Sequence, residues 1–322
     1  MNKLLLIVLL LTIITSCSDE YNLSSYTKGT HQKKLCITTK ILSTKSITLT
    51  EQFSAGSTMG LYITSEKKED LRTGNCKFKN VKALAINSTD KAIKWKLLPE
   101  VYLKDTEMLK IYAYHPYQNN HLATHIPIYI SPVASLTKDY MYGKLAKGHK
   151  PVNIYCPYVL LSMRHALSLI EFQIKLNKNI SGLQKLNAIQ ISNKAGGNML
   201  HTKGTLDVTT GNITYYNNSS NVSTLLKTDH FIPLKHELYE KYKILVMPTD
   251  HPTINKGDIE ILFIINEKSY KYLIPEQTQW KKGHKYLYEF LFNGKDIVLE
   301  KLTITNWHFK YNKDSFIPTN NR

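Results

Sequence analysis

Arginine is scarce in this chain: among 42 basic residues it occurs only at Arg72, Arg164 and Arg322. The formal net charge is nevertheless +17. A nucleic-acid surface favours arginine, whose planar fork matches phosphates and base edges. Here the charge comes from lysines scattered singly or in pairs, with no longer run. That pattern reads as a solvated surface and argues against a nucleic-acid partner. Cysteine is equally sparse. Beyond Cys17 only Cys36, Cys76 and Cys156 remain, enough for one disulfide at most. None stands in a Cys-x-x-Cys pair, so no structural zinc site is expected.

The usual marks of catalysis are missing too. There is no P-loop, no GxGxxG after a strand, no HExxH and no GxSxG. His121 and His125 have helical ligand spacing, but Pro116 and Pro127 bracket them and no helix is expected there. His230 and His236 flank Pro233 without a carboxylate motif to complete a site. The 25 carboxylates are dispersed, so spacing neither assigns nor excludes a glycosidase pair. No catalytic residue, metal site or cofactor is expected. After the first sixteen residues, no stretch of about a dozen residues sustains a helical period.

What is present begins at Met1. Lys3 gives a short positive region, and residues 4–14 are apolar apart from Thr12. This run is too short to span a bilayer, which takes roughly 20 apolar residues, but it suits a signal peptide. It leads into Ile14-Thr15-Ser16-Cys17, which resembles a bacterial lipobox. In that reading residues 1–16 are removed and Cys17 carries acyl chains, each buried methylene adding about 0.8 kcal/mol of anchoring. The competing reading is an ordinary secretory peptide with an incidental cysteine. Ser18-Asp19-Glu20 resembles the surface-export signal of bacteroidete lipoproteins. Removing Lys3 with the signal lowers the net charge from +17 to +16. Export is a further argument against nucleic acid.

Residues 17–34 read as a polar tether. From Leu35 onward the pattern is strand after strand: residues 109–114, 126–130, 167–176, 243–247, 259–265, 285–292 and 297–304. In residues 167–176, Ile170, Phe172, Ile174 and Leu176 alternate with Glu171, Gln173 and Lys175, which predicts a half-buried strand. Residues 243–247 and 259–265 are continuous apolar runs, which predict burial on both faces. Residues 205–216 read as a hairpin turning at 209–212. The 21 tyrosines suit sheets and adhesive surfaces alike. Short strands separated by turn residues predict an all-β chain of sandwich or barrel architecture. The length suggests two domains, 35–161 and 162–322, the second starting near Ser162, just past Pro157.

Landmarks follow one another in order. They are Gly60-Leu61-Tyr62-Ile63; Trp95 before a strand ending Ile111-Tyr112-Ala113-Tyr114-His115-Pro116-Tyr117; and Asp139-Tyr140-Met141-Tyr142-Gly143. Then come Met163-Arg164-His165-Ala166-Leu167-Ser168-Leu169-Ile170, Trp280-Lys281-Lys282-Gly283-His284-Lys285-Tyr286-Leu287-Tyr288, and Leu302-Thr303-Ile304-Thr305-Asn306-Trp307. Together they resemble the fimbrillin family, subunits of type V pili and related surface lipoproteins of bacteroidete bacteria. The resemblance runs from about residue 35 to Trp307.

The resemblance implies two tandem transthyretin-like β-sandwich domains, outer-membrane lipid anchoring, surface exposure in a fimbrium and a role in adhesion. Its implied partners are other pilus subunits, through strand exchange, and ligands on host or bacterial surfaces. In polymerising members a protease removes an N-terminal strand after an arginine, and a strand of the next subunit fills the groove. Here Thr44-Lys45-Ser46 stands where Thr-Arg-Ala would be expected, and Arg72 lies beyond the opening strand. Either a lysine-tolerant protease cuts at Lys45, or the subunit is never cut and remains an anchor or stand-alone lipoprotein. Residues 35–41, with Leu35, Ile37, Thr39 and Ile41 on one face, are the expected groove occupant. The tail from His308 lacks the alternation of a long donor strand, and residues 304–309 come nearest to it. The competing function is a non-polymerising, glycan-binding surface lipoprotein that stacks sugars on exposed Trp or Tyr. Trp95, Trp280 and Trp307 all fall in the landmarks, which favours core packing for them.

Overall fold

The computed structural model describes residues 32–41, 53–66, 76–87, 93–119, 124–216, 223–238 and 240–307. A 3-10 turn at Ala134–Leu136 is the sole helical element among them; the rest of the regular structure is strand.

The first ten strands are β1 (Lys33–Lys34), β2 (Cys36–Ile41), β3 (Thr58–Ser65), β4 (Phe78–Asn87), β5 (Ile93–Leu98), β6 (Tyr102–Leu103), β7 (Leu109–His115), β8 (His125–Tyr129), β9 (Met141–Leu145) and β10 (Tyr158–His165). Seven of them close into a barrel in the order β10-β2-β5-β4-β3-β7-β9, because β10 pairs with both β2 and β9. The barrel is filled from every wall, by Ile37, Met59, Leu61, Ile63, Ala83, Leu97, Ile111, Leu161 and Met163 among others. Each fully buried aliphatic side chain contributes on the order of 1.5–3 kcal/mol.

The remaining strands are β11 (Ser168–Leu176), β12 (Lys185–Asn193), β13 (Lys203–Asp207), β14 (Ile213–Tyr215), β15 (Ser223–Pro233), β16 (Tyr242–Val246), β17 (Ile259–Ile265), β18 (Lys268–Leu273), β19 (His284–Phe292) and β20 (Ile297–Asn306). Two four-stranded sheets, β16-β11-β19-β20 and β15-β12-β17-β18, enclose a second core. That core is aromatic: Phe172, Phe263, Tyr288 and Phe290 contact one another edge-on, tilted or, for Tyr288 and Phe290, stacked, at 4.9–6.4 Å.

Between these cores lies a three-stranded sheet, β14-β13-β8. Strand β8 precedes the barrel's closing strand, and β13–β14 is a hairpin within the second half, so the sheet joins segments from both halves. It also covers the outer face of the barrel. Tyr62 and Tyr114 stack at 6.0 Å and pack with Ile126 of β8 and Val208. Burial pushes the Tyr114 phenol up to about 12. The described residues accordingly fall in one compact unit, Gln32–Tyr311.

Several expectations need correction. Strand β11 is not half-buried: Glu171 and Gln173 on its outer face are as inaccessible as its apolar residues. It lies between β16 and β19, and the Lys285 side chain reaches to within 3.9 Å of Glu171. Conversely, β16 and β17 alternate: Lys243 is exposed, while Leu245, Leu262 and Ile264 are only partly buried. The division into domains near Ser162 stays a proposal; Ser162 itself lies within strand β10. The last two residues of the expected tether, Lys33 and Lys34, pair with β6 as strand β1.

Candidate functional site at the β2 seam

Strand β2 has the alternation CITTKI, and its β-branched residues suit an extended backbone. It runs parallel to β10 over six residue pairs, from Cys36 beside Tyr158 to Ile41 beside Met163. On its other side, among the described residues, it meets β5 at a single pair, Ile37 beside Trp95. The strand is therefore held firmly by one neighbour and lightly by the other.

Side chains reinforce this asymmetry. Leu35 and Ile37 are buried in the barrel core. The Thr38 hydroxyl donates to the Val159 carbonyl at 2.9 Å. Across the lighter seam, the Trp95 indole N–H donates to Thr39 Oγ1 at 3.2 Å. The Trp95 ring is braced edge-on by Phe53, which also touches His115. Burial holds the His115 imidazole below its ordinary pKa, and its Nδ1–H donates to the Thr58 carbonyl at 2.6 Å. At the entry to β2, Leu35 N–H donates to Val101 O and Cys36 N–H to Pro157 O. Lys34 and Glu100 form a solvent-exposed ion pair that raises the lysine and lowers the carboxylate pKa. Such surface pairs contribute little.

Cys17 and Lys45, the expected lipidation and cleavage positions, lie outside the described residues, as does His121. Lys45 follows four residues after the end of β2. His125 is exposed on β8. The side chain of His230 is likewise outside the described set, while His236 Nδ1 contacts the Leu176 carbonyl at 3.3 Å. Among the described residues, no three His, Cys, Asp or Glu side chains gather as a metal site. Cys36, Cys76 and Cys156 are free thiols, and Cys76 donates to the Ile63 and Phe78 carbonyls. Trp95, Trp280 and Trp307 are all buried, so none offers a platform for a sugar ring.

Sequence reasoning missed the partners of β2. Residues 35–41 announce a strand, but nothing in them points to β10, more than a hundred residues away, as the neighbour. The single-pair contact with Trp95 carries no sequence signal.

The family profile described as fimbrillin-like matches residues 44–307, most of the chain. The chain belongs to the fimbrillin-like family. Solved structures share its fold at low identity. A candidate cell adhesion protein from Bacteroides uniformis superposes with a TM-score of 0.62 at 15% identity, covering 85% of this chain and 98% of that one. A second, from Bacteroides ovatus, gives 0.63 at 19% over the same shares. A fimbrial protein from Bacteroides vulgatus gives 0.58 at 14%, covering 85% and 100%. At these identities the likeness is one of fold. Comparison with curated protein sequences gives no match. The all-β architecture of this fimbrillin-like chain is thus shared with candidate cell adhesion proteins and a fimbrial protein of Bacteroides.

Proposed function

We propose that this fimbrillin-like chain is an outer-membrane lipoprotein, anchored through acylated Cys17, and a structural or adhesive pilus subunit. In this reading β2 is the removable occupant of a strand slot. Cleavage near Lys45 releases it, and an extended strand of another subunit takes its place between β10 and β5. Main-chain hydrogen bonds then supply affinity and alternate side chains supply register.

The observation that carries the reading is the one-sided hold on β2. Its six-pair ladder with β10 leaves a long edge when vacated, and Leu35 and Ile37 leave apolar pockets. Each ladder bond contributes only about 1 kcal/mol net, and each aliphatic side chain about 1.5–3 kcal/mol. An open slot of that kind is a sticky edge, which a monomer avoids.

Two experiments test this. Cleaving the folded protein at Lys45 should convert monomer into dimers and longer assemblies on size-exclusion chromatography. A cleaved protein that stays monomeric and equally stable would mean that β2 is no plug and that the chain is a non-polymerising lipoprotein. Separately, Cys17→Ala should abolish acylation and membrane recovery; unchanged recovery would remove the anchor from the proposal.

A further inference from the structure

We infer that Trp95 is a specificity-determining residue of the slot, admitting strands that present a hydrogen-bond acceptor, a hydroxyl above all, at the position Thr39 now holds. This rests on the strand-exchange reading above and adds to it the chemistry of the incoming strand.

The contacts of β2 differ in what they can discriminate. Backbone ladder bonds to β10 are blind to side-chain identity. The sites of Leu35 and Ile37 lie in the apolar core and read shape and volume. The Thr38 hydroxyl reaches only a backbone carbonyl on β10. The Trp95–Thr39 contact is of another kind. Its donor belongs to the barrel, and its acceptor belongs to the side chain of the resident strand. Indole nitrogen can only donate. Trp95 is about 6% exposed, and Phe53 at 5.1 Å fixes its ring, so the N–H has a set direction. A strand with valine at that position would match the shape of threonine and leave the donor facing a methyl group. Leaving a buried donor unmade costs more than an average hydrogen bond contributes. Polar sites reject partners that lack the matching group far better than apolar pockets reject a missing methyl.

The slot therefore reads a five-residue pattern in a strand running as β2 does: aliphatic, any, aliphatic, any, acceptor. In the resident strand this is Leu35, Cys36, Ile37, Thr38 and Thr39.

The test replaces residues 43–46 of the full-length protein with the site of a sequence-specific protease and nicks the folded chain. Fluorescent peptides with the sequence of residues 33–41 are then added and binding is followed by anisotropy. Three peptides are compared: the natural sequence, Thr39→Ser and Thr39→Val. The serine peptide is expected within about threefold of the natural one, and the valine peptide about tenfold weaker, which is about 1.4 kcal/mol. On a Trp95→Phe body the threonine and valine peptides should bind alike. Equal binding of the threonine and valine peptides to the unaltered body would overturn the inference while leaving strand exchange intact. Failure of the natural peptide to enter at any concentration would overturn the strand-exchange reading and the inference with it. Should Trp95→Phe not fold, the three peptides on the unaltered body still decide.

Discussion

The imidazole of His165 lies flat on the indole of Trp307, with ring centres 3.6 Å apart and planes 8° from parallel. His165 ends the barrel strand β10, and Trp307 follows directly on the last sandwich strand, β20. The Asp139 carboxylate holds His165 Nδ1 at 2.9 Å, and Trp307 N–H donates to Gly283 O at 2.6 Å. Ile128, Tyr140, Leu167, Leu206 and Met247 pack around this stack. It therefore ties barrel, sandwich and central sheet at one point. Trp307→Ala should lower unfolding stability by about 3–5 kcal/mol, read from urea denaturation. A loss below about 1 kcal/mol would show that the junction does not depend on the stack.

The hairpin β13–β14 should tolerate nothing larger than glycine at its tip. Gly211 has φ +71°, and a Cβ there would lie 2.0 Å from the Tyr142 ring. Lys282 Nζ also donates to Gly211 O at 2.8 Å and to Asn212 Oδ1 at 3.1 Å, which fixes the tip. Gly211→Ala should cost about 1–3 kcal/mol through overpacking and about 1–2 kcal/mol more through the left-handed backbone. Adding Tyr142→Ala should relieve the first part only. A double-mutant cycle with no coupling between the two positions would contradict this.

Acid should weaken the barrel through His115. Burial depresses its pKa in the folded state below the ordinary value of 6.5, with the Thr58 carbonyl and Asp139 opposing that shift and His165 adding to it. Below about pH 6.5 the unfolded chain takes up a proton that the folded chain refuses. The stabilising contribution is therefore complete above that pH and is lost as pH falls below it. Each unit of pKa difference is worth about 1.4 kcal/mol. Between about pH 7.5 and pH 5.5 the urea midpoint should fall, and His115→Gln should flatten the dependence. An identical slope in the variant would remove His115 from the account.

Trp280 anchors the sandwich by polar as well as apolar contact. It is fully buried, and its indole N–H donates to the Tyr288 hydroxyl at 3.0 Å. Burial raises the pKa of Tyr288 strongly, so the phenol stays a neutral acceptor. Trp280→Phe should cost about 1–3 kcal/mol, most of it from the hydroxyl left without its donor. Trp280→Ala should cost about 3–5 kcal/mol. Equal costs for both changes in thermal unfolding would mean that the hydrogen bond contributes nothing.

The sequence was most informative where one strand decides its own fate. Residues 259–265 are read to the residue as β17, and residues 209–212 as the turn region of the β13–β14 hairpin. Alternation in residues 167–176 gives the strand but not its burial. Glu171 sits opposite Lys243 and beside Leu287, with the Lys285 side chain 3.9 Å away, and all three neighbours come from distant segments that its own alternation does not reveal. The pairing of β8 with β13 is equally invisible, because Lys203 and Tyr129 meet across 73 intervening positions. The same holds for the candidate site. Residues 35–41 show a strand with an apolar face, whereas the strong ladder on one side and the single pair on the other exist only once β10 and β5 are in place.

The parallel alignment of β2 with β10 also decides how the molecule bears load. The chain enters the described body at Gln32, ahead of the Cys36 end of β2, and leaves it at Trp307, against the His165 end of β10. Tension between those two points draws β2 and β10 lengthwise past one another. All six residue pairs are then strained together in shear, whereas a pull across the ladder would open them one after another. With β2 in place, a molecule pulled at these two points meets the force with its whole seam at once.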